Sequence, residues 1–143
     1  MAEAALAANT SQIFSRLADI QWINTVITAN TTTDLTAGTI YLVGTADATN
    51  GGRFSKLIVQ PLGTNVATAL RVWLNNGSAT GTAANNTQIK DVTLAATTVS
   101  QIAAIGNTEI PLDLSLPAGY KIYVTIGTTI VAGVDVAMIG GKY

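Results

Sequence analysis

Six acids scattered along the chain are the residues best equipped for chemistry: Asp34, Asp47, Asp91, Glu109, Asp113 and Asp135. Two of them facing one another across a glycosidic bond would make a glycosidase pair. They stand singly, however, and isolated acids on strands and turns are ordinarily solvated charges. The rest of the usual machinery is missing. With no histidine, the chain lacks the commonest general base and metal ligand. With no cysteine, it lacks a thiol nucleophile, a thiolate zinc site and any disulfide. No nucleophile elbow, P-loop or dinucleotide fingerprint occurs. The stretch "DATNGG" from Asp47 starts like a calcium loop but has neither the ligand series nor the closing Glu, and reads as a tight turn. The expectation is a non-enzymatic protein without metal or cofactor.

Aromatic side chains offer a second kind of chemistry. Trp22, Trp73, Tyr41 and Tyr123 could stack on sugars, although a Trp on a strand is more often core or interface. The segment 75–86, "NNGSATGTAANN", is small and polar, which predicts a long, flexible, exposed loop. Asn75, Asn76, Gly77, Asn85 and Asn86 are its exposed candidates. Trp73, Tyr123 and this loop together would suit a carbohydrate-binding module.

Composition narrows the field. Charged residues make up 10% of the 143, against about 25% in a typical soluble domain. The net charge is −1. Thr, Ala and Asn fill the gap, so the surface is largely neutral hydroxyl and amide. Such a surface repels its neighbours weakly and suits a protein that lives packed against others. The seven basic residues are dispersed, which argues against nucleic acid, since phosphate binding needs a dense basic stripe. No run of about 20 apolar residues and no basic, apolar leader is present. These features predict a protein made in a cytoplasm and not inserted in a membrane.

The elements that must position these residues follow from periodicity. In residues 1–20, Asn9 or Thr10 can cap a short helix, with Ile13, Leu17 and Ile20 at helical spacing and Phe14 beside them. A helix that short needs a partner. We therefore expect an N-terminal arm or short helix over 1–20, an attachment element in which Ile13, Phe14 and Leu17, joined by Trp22, meet a partner. From residue 21 to 143 the pattern is alternation within a single domain. "QWINTVIT", "GTIYLVGTA", "RFSKLIVQPLG", "NVATALRVWLNNG", "TQIKDVTLAAT", "TEIPLDLSL", "YKIYVTIG" and "VDVAMIGGKY" read as strands. The first carries Trp22, Asn24 and Val26 on one face. The fourth carries Leu70, Val72 and Leu74 on one face, with Arg71 and Trp73 on the other. About eight short strands with turn signals between them predict an all-β protein, an antiparallel β-sandwich of jelly-roll type.

A resemblance is carried by two stretches. One runs Gly52, Arg53, then Pro61, Gly63, Thr64, Asn65, Ala67, Thr68, Leu70 and Arg71. The other runs Pro111, Leu112, Leu114, Leu116 to Tyr120, Gly127, Thr128, Ala132, Gly133, Gly140, Gly141 and Tyr143, with Lys142 where an acid is more usual. Over residues 50–143 the chain resembles a family of small structural proteins of tailed phages and prophages. That resemblance implies a virion component: a capsid decoration or cement protein, with a host-recognition or carbohydrate-binding module of a tail or head fibre as the alternative. Its partners would be the major capsid protein and further copies of itself, as a homo-dimer or homo-trimer. Its location would be the outer capsid surface, after synthesis in the host cytoplasm.

Overall fold

The computed structural model describes residues 17–32 and 34–143. Among these residues, eight antiparallel strands carry the fold: β1 (Leu17–Val26), β2 (Tyr41–Thr45), β3 (Gly52–Pro61), β4 (Thr68–Asn75), β5 (Asn86–Leu94), β6 (Thr108–Leu116), β7 (Lys121–Ile126) and β8 (Val134–Lys142). One 3-10 turn, Ala83–Asn85, precedes β5.

The pairing follows one rule. β1 pairs with β8, β2 with β7, β3 with β6 and β4 with β5, so the chain is a nested hairpin four strands deep. Rolling that hairpin adds the pairs β3–β8 and β4–β7. The result is two four-stranded sheets, ordered β1-β8-β3-β6 and β2-β7-β4-β5, the arrangement of a jelly roll. The predicted all-β sandwich is thus the observed fold.

Alternation fills the core as the sequence implies. Leu112 and Leu116, then Ile122, Val124 and Ile126, then Val134, Val136 and Met138 all point inward and are buried. Phe54, Leu57, Val59, Leu70 and Val72 meet them from β3 and β4. Among the described residues, every buried side-chain nitrogen or oxygen has a hydrogen-bond partner. Burial of this kind, at about 25 cal/mol per Å² of apolar surface, is the main stabilising term.

Two expectations change. Leu17–Ile20, predicted to end an arm or short helix, are the first residues of β1 and pair with Lys142 to Ile139. Sheet pairing supplies the hydrogen bonds that helical spacing would otherwise have used. The rest of that element, including Ile13 and Phe14, lies outside the described residues. Secondly, Trp22 and Val26 do not share a face. The register of β1 on β8 shifts between Ile23 and Val26, and Thr25 adopts a φ of 58° there. The extra residue reverses the in–out phase. Val26 is therefore fully buried, whereas Trp22 is 63% exposed.

The strand ends sort the loops into two groups. Residues 27–40, 62–67, 95–107 and 127–133 gather at one end of the sandwich. Residues 46–51, 76–85 and 117–120 gather at the other.

Candidate functional site

The acids are used as structural ligands. Asp34 Oδ1 accepts the Thr36 hydroxyl at 2.6 Å and the Thr36 N–H at 2.9 Å, which holds its carboxyl below the ordinary range. Asp135 Oδ1 accepts the N–H of Thr25 at 2.9 Å and so braces the bulge in β1. Glu109 pairs with Lys56 at 3.0 Å and Asp91 lies 4.0 Å from Arg71. Both pairs are solvent-facing and contribute little. Asp113 occupies a left-handed position, φ 50°, at an irregularity of β6.

Asp47 builds the turn that its sequence context predicts. Its Oδ1 accepts N–H bonds from Asn50 at 2.9 Å and Thr49 at 3.0 Å, and its carbonyl accepts from Gly51 at 3.0 Å. Gly51 has a φ of 72°, open to glycine at little cost. The N–H of Asn50, then that of Thr49, lowers the Asp47 carboxyl below its ordinary value. A carboxyl depressed in the folded state contributes stability above its unfolded pKa and loses it as pH falls through the folded one. Stability is therefore expected to decline below about pH 4, with a shallower decline in Asp47→Asn. Urea unfolding across that range checks this; equal slopes for the two proteins would contradict it.

The aromatic platform does not form around Trp73. Trp73 is only 4% exposed, and its indole N–H donates to the Thr125 hydroxyl at 3.0 Å. It does point away from Leu70 and Val72, as alternation requires, yet it is buried there, beside Thr125. A closed, hydrogen-bonded indole offers no ring face to a sugar.

The predicted flexible loop is braced by its own asparagines. Asn75 is fully buried at the end of β4, not exposed. Its amide donates to Asn86 Oδ1 at 2.7 Å, while its Oδ1 accepts the N–H of Gly77 at 2.8 Å. Asn76 donates to Asn85 Oδ1 at 3.2 Å. Asn85 and Asn86, half-buried, donate in turn to the carbonyls of Ala79 and Thr80. Asn76 and Gly77 are exposed as predicted. Short amides that reach local backbone favour turns, and here they replace flexibility with order. Beside this loop, Leu74, Asn76, Asn86, Thr87 and Tyr120 line an open recess of about 170 Å³.

The opposite end holds a different surface, which sequence reading missed. Asn65 is its hub. Its Oδ1 accepts the N–H groups of Ala132 at 2.9 Å and Gly133 at 3.1 Å, and its amide donates to the Gly133 carbonyl at 2.9 Å. Its backbone exchanges two hydrogen bonds with Thr97. Thr64 Oγ1 accepts the N–H of Val99, and Thr97 Oγ1 donates to the Gly63 carbonyl. Thr68 Oγ1 donates to the Thr128 carbonyl and accepts its N–H. The Pro61–Thr68 motif thus clamps three loops together.

On that clamped end, Leu62, Val66, Val99, Ile102 and Val131 are exposed, Ile102 completely and Val131 to 87%. The four loops carry one charge between them, Asp34. This braced, nearly uncharged end thus exposes five aliphatic side chains, where an exposed loop end is ordinarily polar. The available signal was the absence of charge from 62–67, 95–107 and 127–133, but only the fold brings these segments together. A second apolar group, Leu17, Ile20 and Trp22, is exposed on β1. Of the four residues expected to meet a partner, Leu17 and Trp22 are thus at the surface.

No family model and no curated protein matches this sequence. A solved structure, "Structure of infectious bursal disease virus Gx strain", is similar at 16% identity with a TM-score of 0.34. The match covers 90% of this chain and 35% of that one, so this chain spans about a third of that chain's length. A likeness this distant says nothing of function.

Proposed function

We propose that this chain is a non-enzymatic structural component of a tailed-phage virion. In this reading it is a decoration or cement protein that seats on the major capsid protein and stabilises the head. It is made in the host cytoplasm and ends on the outer capsid surface, in contact with further copies of itself. The observation that carries the reading is the apolar, almost uncharged loop end around Asn65. A cement protein needs a preformed surface that loses little conformational entropy on binding, and the three-loop clamp supplies one. The resemblance over residues 50–143 to phage structural proteins supports the same reading. The enclosed Trp73 weighs against the glycan-binding alternative.

The test is a binding assay on particles stripped of this protein. The wild-type chain is expected to re-decorate them in many copies, located by cryo-electron microscopy. Ile102→Lys and Val131→Glu place charges in the contact and are expected to weaken binding at least about tenfold, which corresponds to about 1.4 kcal/mol. Failure of the wild type to bind would end the reading. Full binding by both variants would remove the loop end as the contact.

A further inference from the structure

We infer that β1 pairs with β1 of a second copy about a two-fold axis through Gln21. This joins two sandwiches through one continuous eight-stranded sheet. The inference deepens the self-association within the function proposed above, though its argument rests on the sheet edges alone.

Exposed sheet edges recruit other strands unless something blunts them. Three of the four edges here are blunted. β6 carries Pro111, Glu109 and an irregularity at Asp113 with a φ of 50°. β5 carries Lys90 and Asp91 and a register shift opposite Val72 and Trp73. β2 is only five residues long. It is also closed by a side chain, since the Thr45 N–H donates to Gln21 Oε1 at 2.8 Å and the Thr45 carbonyl accepts from Gln21 Nε2 at 2.7 Å.

Among the described residues, β1 is the least protected edge: before its bulge it carries one charge, Asp19, on the same face as Gln21 and away from Ile20 and Trp22. It is ten residues long and forms the outer strand of its sheet. Its outward side chains in the straight stretch are Ala18, Ile20 and Trp22, none of them charged. Ile20 is 52% and Trp22 63% exposed. Large apolar side chains along a long, free edge are the features that strand addition uses.

The register follows from the same residues. With the axis at Gln21, Ile20 of one copy faces Trp22 of the other, a favourable aromatic–β-branched pair, and the symmetry makes it twice. The paired stretch is then 19–23, the part of β1 symmetric about Gln21 that lies before the register shift. It ends where the bulge begins and where Asp135 already holds the Thr25 N–H. Each Asp19 faces Ile23, and the two Asp19 residues lie about 13 Å apart, beyond the Debye length of roughly 10 Å. No like charges oppose one another.

Sedimentation equilibrium on the full chain, without particles, tests the pairing. A dimer at micromolar concentration is expected. The double variant Ile20→Lys/Trp22→Lys sets like charges opposite one another and is expected to raise the dissociation constant at least tenfold. The variant Ile20→Lys/Trp22→Glu sets opposite charges in the same register and is expected to restore the dimer. Thermal unfolding verifies that both variants fold. A monomeric wild type, a dimer that survives the double lysine, or a lysine–glutamate variant that stays monomeric overturns the proposal. Any of these leaves the capsid reading intact, because that reading stands or falls on particle binding.

Discussion

Asn65→Ala is expected to lower the unfolding free energy by about 3 kcal/mol, a large loss for a surface-end residue in a domain of this size. The substitution strands two backbone N–H groups, those of Ala132 and Gly133, that the Asn65 carboxamide now satisfies. A buried donor left without a partner costs roughly 1–3 kcal/mol. The Gly133 carbonyl suffers less, because the Leu62 N–H still donates to it at 3.0 Å. The damage should be local as well as global. Amide exchange at residues 132 and 133 is expected to accelerate more than at β3 or β8, where the ladders are intact. Asn65→Asp separates the two halves of the role: its carboxylate can still accept from Ala132 and Gly133 but cannot donate to the Gly133 carbonyl. An intermediate loss of stability is expected. If Asn65→Ala unfolds at the wild-type denaturant midpoint, the hub assignment is wrong.

Gly140→Ala is expected to cost about 3 kcal/mol or more, enough to abolish accumulation of a marginal domain. Gly140 lies in β8, between β1 and β3, paired with Asp19 on one side and Phe54 on the other. A methyl group there would sit 2.3 Å from the Arg53 carbonyl oxygen and 2.8 Å from the Phe54 Cα. Those are backbone atoms, so no rotamer change relieves the clash. The β3 ladder would have to separate, which exposes Phe54, a fully buried side chain at the centre of the core. Gly106→Ala is the control, since nothing lies within 4 Å of the added carbon. A thermal scan of the two variants decides the matter; comparable melting temperatures would refute the packing argument.

These two positions show where sequence reading stops. Gly140 and Asn65 both stand out in the chain as parts of recurring motifs, yet a motif of turn and strand residues names no partner. The partners of Asn65 lie 67 and 68 residues away. Alternation puts Trp73 with Arg71 on the face opposite Leu70 and Val72 but does not announce its burial there, since the Thr125 hydroxyl it bonds to lies 52 residues on. Asn75 and Asn86 look like loop composition and prove to be the loop's internal braces. Alternation puts Trp22 and Val26 on one face because it assumes an uninterrupted pleat, and the bulge at Thr25 interrupts it.

Local periodicity sufficed for the all-β class, the eight strands and most of the core. A two-residue repeat with one apolar face can be buried only by a sheet packed on another layer. Pro61 and the Pro117–Gly119 turn mark strand ends for reasons equally local to the backbone. The tertiary structure alone decided which surfaces are free to meet a partner. The apolar end draws its side chains from three separate loops, and the open edge at β1 is evident only beside the three edges that are blunted. Exposure depends on neighbours distant in the chain, and a one-dimensional pattern carries no record of them.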